Sequence, residues 1–153
     1  MTILELGCGA GIPSLVSCHF ANNQHDSCAN TTTSTKRMRV IASDQSQRTL
    51  QHVANVASLN GCHNLELKSL PWGKHVEDNE ASSADNNIKA DILLASKVVY
   101  NHESVASLVE TIDRFLAKPH GKAYVALRRD RPGVHTFFRT DMPRAGFVML
   151  VRI

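Results

Sequence analysis

Ile3-Leu4-Glu5-Leu6-Gly7-Cys8-Gly9-Ala10-Gly11-Ile12-Pro13 joins a strand, a glycine turn and a helix start with no spare residue. Ile3, Leu4 and Leu6 form a short apolar strand. Gly7, Gly9 and Gly11 then let the backbone turn tightly and approach a ligand with no Cβ in the way. Pro13 suits a first helical turn, where its missing N–H costs nothing. A helix that starts on such a turn presents free N–H groups and the positive end of its dipole, which favours an anionic ligand group. A tight β-to-α turn that holds no ligand is the plain alternative for this stretch read alone.

The glycine spacing narrows the ligand. A dinucleotide fingerprint, G-x-G-x-x-G, needs its third glycine three residues after the second. From Gly7 and Gly9 that position is Ile12, and from Gly9 and Gly11 it is Ser14, so the nicotinamide reading weakens. What stands here is Glu5-x-Gly7-x-Gly9-x-Gly11. This resembles the first motif of the seven-stranded (class I) S-adenosylmethionine-dependent methyltransferases. The resemblance implies S-adenosyl-L-methionine as cofactor, with the glycine loop against its methionine part and Glu5 near its ammonium group.

The gross numbers allow this. The chain has 153 residues and reads as one domain, 1–153. A domain of that size buries about two-thirds of the surface its unfolded chain exposes. Hydrophobic residues make up 42%, yet no apolar run approaches a membrane span, and Met1-Thr2 leads into no basic, cleavable leader. A soluble, monomeric protein of the cytoplasm, with the nucleus as the alternative, is the expectation. Cys8, Cys18, Cys28 and Cys62 form no C-x-x-C pair and no H-E-x-x-H accompanies them, so no metal site is expected. A formal net charge of +3 is too small to imply nucleic-acid binding. Arg128, Arg129 and Arg131 form a local basic cluster that reads as a solvated face or as a site for an acidic partner.

Strands and helices alternate along the rest. Ile12, Leu15, Val16, His19 and Phe20 recur at helical spacing up to Asn22-Asn23. Residues 23–36 are polar and read as a flexible insertion. A strand through Met38, Val40 and Ile41 runs into Ser43-Asp44, and a helix with Leu50, Val53, Ala54 and Ala57 on one face stops at Asn60-Gly61. Leu65–Ser69 is a further strand, a polar stretch fills 74–89, and Ala90–Ala95 reads as a buried central strand. Val105, Leu108, Val109, Ile112, Phe115 and Leu116 mark an amphipathic helix ended by Pro119 and Gly121. Lys122–Leu127 is a strand, 134–144 a helix strained or shortened by Pro143, and Phe147–Ile153 the final strand. The pattern predicts an α/β fold with a doubly wound, mostly parallel sheet and the ligand at the carboxyl ends of the strands.

Asp44 ends the second strand, where a carboxylate accepts hydrogen bonds from ribose hydroxyls. It lies about forty residues after Glu5, and removing the polar insertion restores a spacing of about twenty. The competing role is that of helix N-cap, for which Ser46 is the rival.

Further motifs follow in order. Leu70-Pro71-Trp72-Gly73, then Asp91-Ile-Leu-Leu-Ala-Ser-Lys-Val-Val-Tyr100, then Phe137-Phe138 with Ala145-Gly146-Phe147, resemble the methyltransferase-like protein-lysine methyltransferases over nearly the whole chain. By that resemblance Trp72 would border the adenine, Ala95 and Ser96 would lie under the cofactor, and Tyr100 and Lys97 would line the channel for a substrate lysine on a partner protein. Trp72 could equally be a core residue. The family usually has Asp where Pro71 stands, and an acidic residue where Lys97 stands. An acid would attract an incoming ammonium; Lys97 repels it while lowering its pKa, unless Lys97 turns away to pair with Glu103. Weak or absent lysine methylation is therefore expected with Lys97 in place.

Members of the family usually carry helices ahead of the first motif and a seventh strand near the end, and the chain is expected to lack both. A methyltransferase of the protein-lysine type is the first functional reading. A catalytically inactive methyltransferase-like fragment that serves as a binding module is the alternative, and a small-molecule or RNA methyltransferase the third.

Overall fold

The computed structural model describes residues 1–26, 38–73 and 87–150, with side chains for all of these except 23–26. The elements are β1 (Thr2–Leu6), α1 (Ile12–Asp26), β2 (Arg39–Asp44), α2 (Gln47–Leu59), β3 (Leu65–Ser69), β4 (Ile92–Ser96), α3 (Glu103–Phe115), β5 (Lys122–Ala126) and α4 (134–144). The strands form one parallel sheet in the order β3-β2-β1-β4-β5. Chain progression moves outward from β1 through β2 to β3, then returns to β4 on the other side of β1. That reversal places the switch point of the sheet at the carboxyl ends of β1 and β4, where α/β sheets bind ligands, and the glycine turn follows β1 there.

Helices cover both faces, as the alternation predicts. Leu4, Leu6, Ile41, Leu93 and Ala95 point to one face and pack with Leu108, Ile112 and Phe115 of α3 and Phe137 of α4. On the other face Ala42 meets Leu50 and Val53 of α2, and Cys18 of α1 joins Ala57 and Cys62. The two-residue alternation of β1 and β2 sorts these sets onto opposite faces. Ser46 caps α2, its hydroxyl accepting from Thr49 N–H at 3.2 Å.

Three expectations change. α1 does not end at Asn22-Asn23 but continues to Asp26, so the insertion expected from 23 loses its first four residues to the helix, and 27–36 lie outside the described residues. Asparagine costs less than about 1 kcal/mol in a helix interior, and Asn22 Nδ2 donates to Gly61 O at 3.2 Å, which holds this turn against the end of α2. The helix over 134–144 is not shortened by Pro143. It widens, with a π-helical turn at Phe137–Asp141 between the α turns Val134–Thr136 and Met142–Arg144. A proline has no N–H to give and its ring crowds the carbonyl four residues back, and a wider turn accommodates both.

The final strand is absent from the described part of 147–153. Residues 147–150 have no regular structure, and 151–153 lie outside the described residues. Phe147 is drawn back instead: its N–H donates to Met142 O at 3.0 Å and its ring packs on the core. Val148 and Leu150 are left 83% and 79% exposed. Among the described residues β5 therefore pairs only with β4, through a register that sets Ser96 opposite Ala126.

Candidate functional site

The glycine turn is built as its sequence requires. Gly7, Gly9 and Gly11 have φ of +62°, +51° and +72°, a region that side chains other than glycine rarely adopt. The turn is closed by Gly11 N–H donating to Cys8 O at 2.7 Å and tied to β2 by Cys8 N–H donating to Ser43 O at 2.8 Å. The three glycines differ in what surrounds them. A Cβ on Gly11 would stand 2.8 Å from Val53 Cγ1, and one on Gly7 would stand 3.1 Å from both Trp72 Cζ2 and Val98 Cγ1. At Gly9 nothing lies within 4 Å. Gly11 and Gly7 thus serve packing, whereas Gly9 opens onto free space at the tip of the turn.

Glu5 is 2% exposed and is held by α1. Ser14 N–H donates to Glu5 Oε2 at 3.0 Å, and the Ser14 hydroxyl donates to the same oxygen. Glu5 Oε1 has no hydrogen-bond partner among the described residues, and no side-chain oxygen among them is both sealed from solvent and unpaired. Burial raises the Glu5 carboxyl above its ordinary range; the two Ser14 bonds oppose this and the charge of Asp44 adds to it.

Asp44 bridges two loops. Its Oδ2 accepts from Gly9 N–H at 3.2 Å and its Oδ1 from Ser46 N–H at 2.9 Å. The N-cap role belongs to Ser46, and Asp44 instead orients the glycine turn against the start of α2 while remaining partly exposed. Trp72 is both core and wall: it is half-buried against the main hydrophobic cluster, and its six-membered ring closes over Gly7. Ala95 is buried, opposite Leu6 in the sheet.

The two residues assigned to the channel are both exposed. Lys97 follows β4, is exposed, and has φ of +55°, while its N–H donates to Ala126 O at 2.8 Å. Its ammonium makes no ion pair among the described residues, with Glu103 or any other. Tyr100 is 65% exposed. Between them Val98 and Val99 are buried, which is why the chain turns at Lys97.

Four residues of the site escaped the sequence reading: Ser14, Ser43, Val53 and Val98. Ser43 is buried, and its hydroxyl donates to Glu5 O at 2.6 Å, linking the ends of β1 and β2. Ser14 carried the one available signal, a serine in the first turn of a helix that follows a strand acid. Among the described residues there is no group of His, Cys, Asp or Glu that could hold a metal ion, and no helix long and apolar enough to cross a membrane.

Comparison with known proteins bears on this arrangement. The chain is 29% identical over 151 residues to the protein N-terminal and lysine N-methyltransferase EFM7 of Debaryomyces hansenii, covering 90% of this chain and 52% of that protein. The corresponding protein of Schizosaccharomyces pombe is 28% identical over 133 residues, covering 85% of this chain and 47% of its own. The chain thus spans about half the length of these relatives. In fold it is similar to PKMT2 from Rickettsia typhi, solved in complex with AdoHcy, with a TM-score of 0.55 at 19% identity over 81% of this chain and 20% of that one. A sequence profile described as lysine methyltransferase matches residues 1–142, and the chain belongs to that family.

Proposed function

We propose that this chain holds S-adenosylmethionine at the carboxyl edge of its sheet and takes part in methyl transfer to an amine of a protein, with lysine as the acceptor. The observation that carries the reading is the open space at Gly9, held in place by Asp44, beside a buried Glu5 whose Oε1 has no hydrogen-bond partner among the described residues. A turn built only for chain reversal has no need of a charged, buried acid behind it, since that acid is costly to bury. Glu5 Oε1 suits an ammonium donor, Asp44 a pair of hydroxyls, Gly9 a close approach of backbone, and Trp72 a flat aromatic base. These are the groups the methionine, ribose and adenine parts of that cofactor require.

The bound cofactor supplies an electrophilic methyl group on a sulfonium. The protein's share is to place an unprotonated amine in line with it and to keep water out. No nucleophile of the protein is needed for this transfer. Lys97 favours the second reading, a module that binds without catalysing, because a cation with no ion-pair partner among the described residues disfavours a bare incoming ammonium.

Titration calorimetry with S-adenosylhomocysteine tests the first step; no heat at high ligand concentration removes the cofactor reading. A radiolabelled methyl-transfer assay on the unmodified chain and Lys97→Asp separates the two readings, because equal activity in both would show that the charge at 97 does not matter.

A further inference from the structure

The edge of the sheet beyond the glycine turn carries a concentration of positive charge that the cofactor reading does not use. Lys97 and Arg128 follow adjacent parallel strands, and Lys97 N–H donates to Ala126 O at 2.8 Å, so the two segments leave the sheet side by side. The chain then turns at once: Arg131 N–H donates to Arg128 O at 3.3 Å and Val134 N–H to Arg131 O at 3.3 Å. This turn is pressed against the segment that follows Tyr100. A Cβ on Gly133 would stand 3.2 Å from Asn101 O and 3.3 Å from His102 Cα. Lys97, Tyr100 and Arg128–Arg131 therefore make one continuous lip.

The lip's charges are only partly satisfied from within. Arg128 is bound by Asp130, at 3.0 Å through Nε and 2.5 Å through Nη2, and Arg131 also helps hold the Asp130 carboxyl below its ordinary range. Lys97 and Arg129 have no ion-pair partner among the described residues. Within the two segments 97–103 and 128–131, four basic residues, Lys97, Arg128, Arg129 and Arg131, stand beside two acidic ones, Glu103 and Asp130. All of these side chains are exposed, and Tyr100 offers an aromatic surface between the two segments.

We propose that this lip is the docking surface for an acidic segment of the protein substrate, one that carries its methyl-accepting lysine among carboxylates. The inference rests on the methyl-transfer reading for the identity of the segment, although the surface itself does not depend on the cofactor. A lysine flanked by carboxylates arrives with its charge already balanced. Its neighbours pair with Arg129, Arg131 and Lys97, and the repulsion between Lys97 and the incoming ammonium becomes a selection for acidic context. Single-stranded nucleic acid fits less well. It needs a row of aromatic platforms along a long basic groove, and the lip has one exposed aromatic and a short arc of charge on a chain whose net charge is only +3.

Fluorescence anisotropy of the full chain tests this with three labelled probes: a 15-residue peptide with one lysine flanked by glutamates, the same peptide with glutamines, and a 15-nucleotide single-stranded RNA. The glutamate peptide is expected to bind about tenfold or more tightly than the glutamine peptide, and to weaken strongly between 50 and 300 mM salt. Lys97→Glu, Arg129→Glu and Arg131→Glu are each expected to weaken it by about threefold to tenfold. Lys122→Glu, at the opposite end of β5, should leave it unchanged. Equal affinity for the two peptides, an equal loss in Lys122→Glu, or tighter binding of the RNA would each overturn the proposal. Calorimetry with S-adenosylhomocysteine on the same sample keeps the two readings distinct: a silent cofactor titration beside selective peptide binding removes methyl transfer and leaves the docking surface standing.

Discussion

The backbone N–H and the hydroxyl of Ser14 both donate to one oxygen of Glu5, so the first turn of α1 is fastened to the floor of the glycine turn through a single buried carboxylate. A helix N-terminus is a favourable place for negative charge, yet burial still raises the Glu5 carboxyl above its ordinary range. Its folded state therefore holds the proton more tightly than its unfolded state does.

The sign of the consequence follows. At low pH both states are protonated and the burial carries no charge penalty. As pH rises through the ordinary carboxylate range the unfolded chain releases its proton first, and stability falls until the folded group ionises as well. Glu5→Gln removes this term. Its melting temperature relative to the unmodified chain should rise between pH 4 and pH 7.5 in calorimetric scans, while affinity for S-adenosylhomocysteine falls by about tenfold or more with the loss of a charge-assisted bond. A melting difference that does not change with pH would contradict the burial argument. Ser14→Ala should act oppositely on stability, costing about 1–3 kcal/mol at neutral pH by removing the hydroxyl donor and leaving the buried carboxylate only the backbone N–H at 14.

The glycines separate packing from ligand approach. Gly11→Ala meets Val53 Cγ1 at 2.8 Å and must also hold φ of +72°, so a loss of about 2–4 kcal/mol is expected in denaturant unfolding. Adding Val53→Ala relieves the contact but not the dihedral angle, and should recover only part of the loss made by the alanine at 11. Gly9→Ala has no atom within 4 Å to meet. It should cost about 1–2 kcal/mol from its dihedral angle alone and act chiefly on the cofactor, with affinity reduced far more than stability. If Gly9→Ala binds S-adenosylhomocysteine as the unmodified chain does, the open space at Gly9 is not the approach of the ligand.

Much of this arrangement is legible in the sequence because its determinants are local. Glycines spaced by two after an apolar strand, an acid at the end of the second strand, and the amphipathic period of α3 each reflect the geometry of one element. Alternation of element types predicts a parallel, doubly wound sheet, but not the order of its strands. What the sequence hides depends on neighbours. Ser14 reads as an ordinary first-turn serine until the fold brings Glu5 beneath it. Val53 reads as a plain helix-face residue and Val98 as part of the motif from Lys97 to Tyr100, although they fix how much room Gly11 and Gly7 have. The apolar run after Gly146 has the period of a strand, but a strand also needs a partner edge, and Phe147 is captured by the core first. Asn22-Asn23 lacks the glycine that would end α1, and its contact to Gly61 belongs to tertiary structure.

Lys97 is the one described residue other than glycine with a positive φ, +55°. Such a conformation costs a side-chain-bearing residue about 1–2 kcal/mol. Lys97→Gly should relieve most of it, less the greater freedom glycine gains when unfolded, and raise the melting temperature by about 2 °C. Lys97→Ala removes the charge and keeps the strain, so it should melt close to the unmodified chain. Equal stabilisation by Ala and Gly would mean that charge, not backbone strain, is what position 97 imposes.

Cys8 lies between two of the cradle glycines and offers a direct probe of its opening. It is 5% exposed, and burial, with the negative charges of Glu5 and Asp44 added, pushes its thiol up to about 12. At pH 8 only about one thiol in ten thousand is then the reactive thiolate. Cys18, 0% exposed, is also shifted upward, by burial first and then by the neighbouring Cys62 thiol. Iodoacetamide at pH 8, followed by peptide mass spectrometry, should therefore label both far more slowly than a free cysteine. The two should differ in their response to S-adenosylhomocysteine. Cys8 becomes accessible when the glycine turn opens, a local event that a ligand on the turn suppresses, whereas Cys18 is exposed only when α1 leaves the sheet. Protection of Cys8 several times greater than that of Cys18 is the expected result. Rapid labelling of Cys8 in the native chain, or equal protection of both, would show that the turn is not the seat of binding.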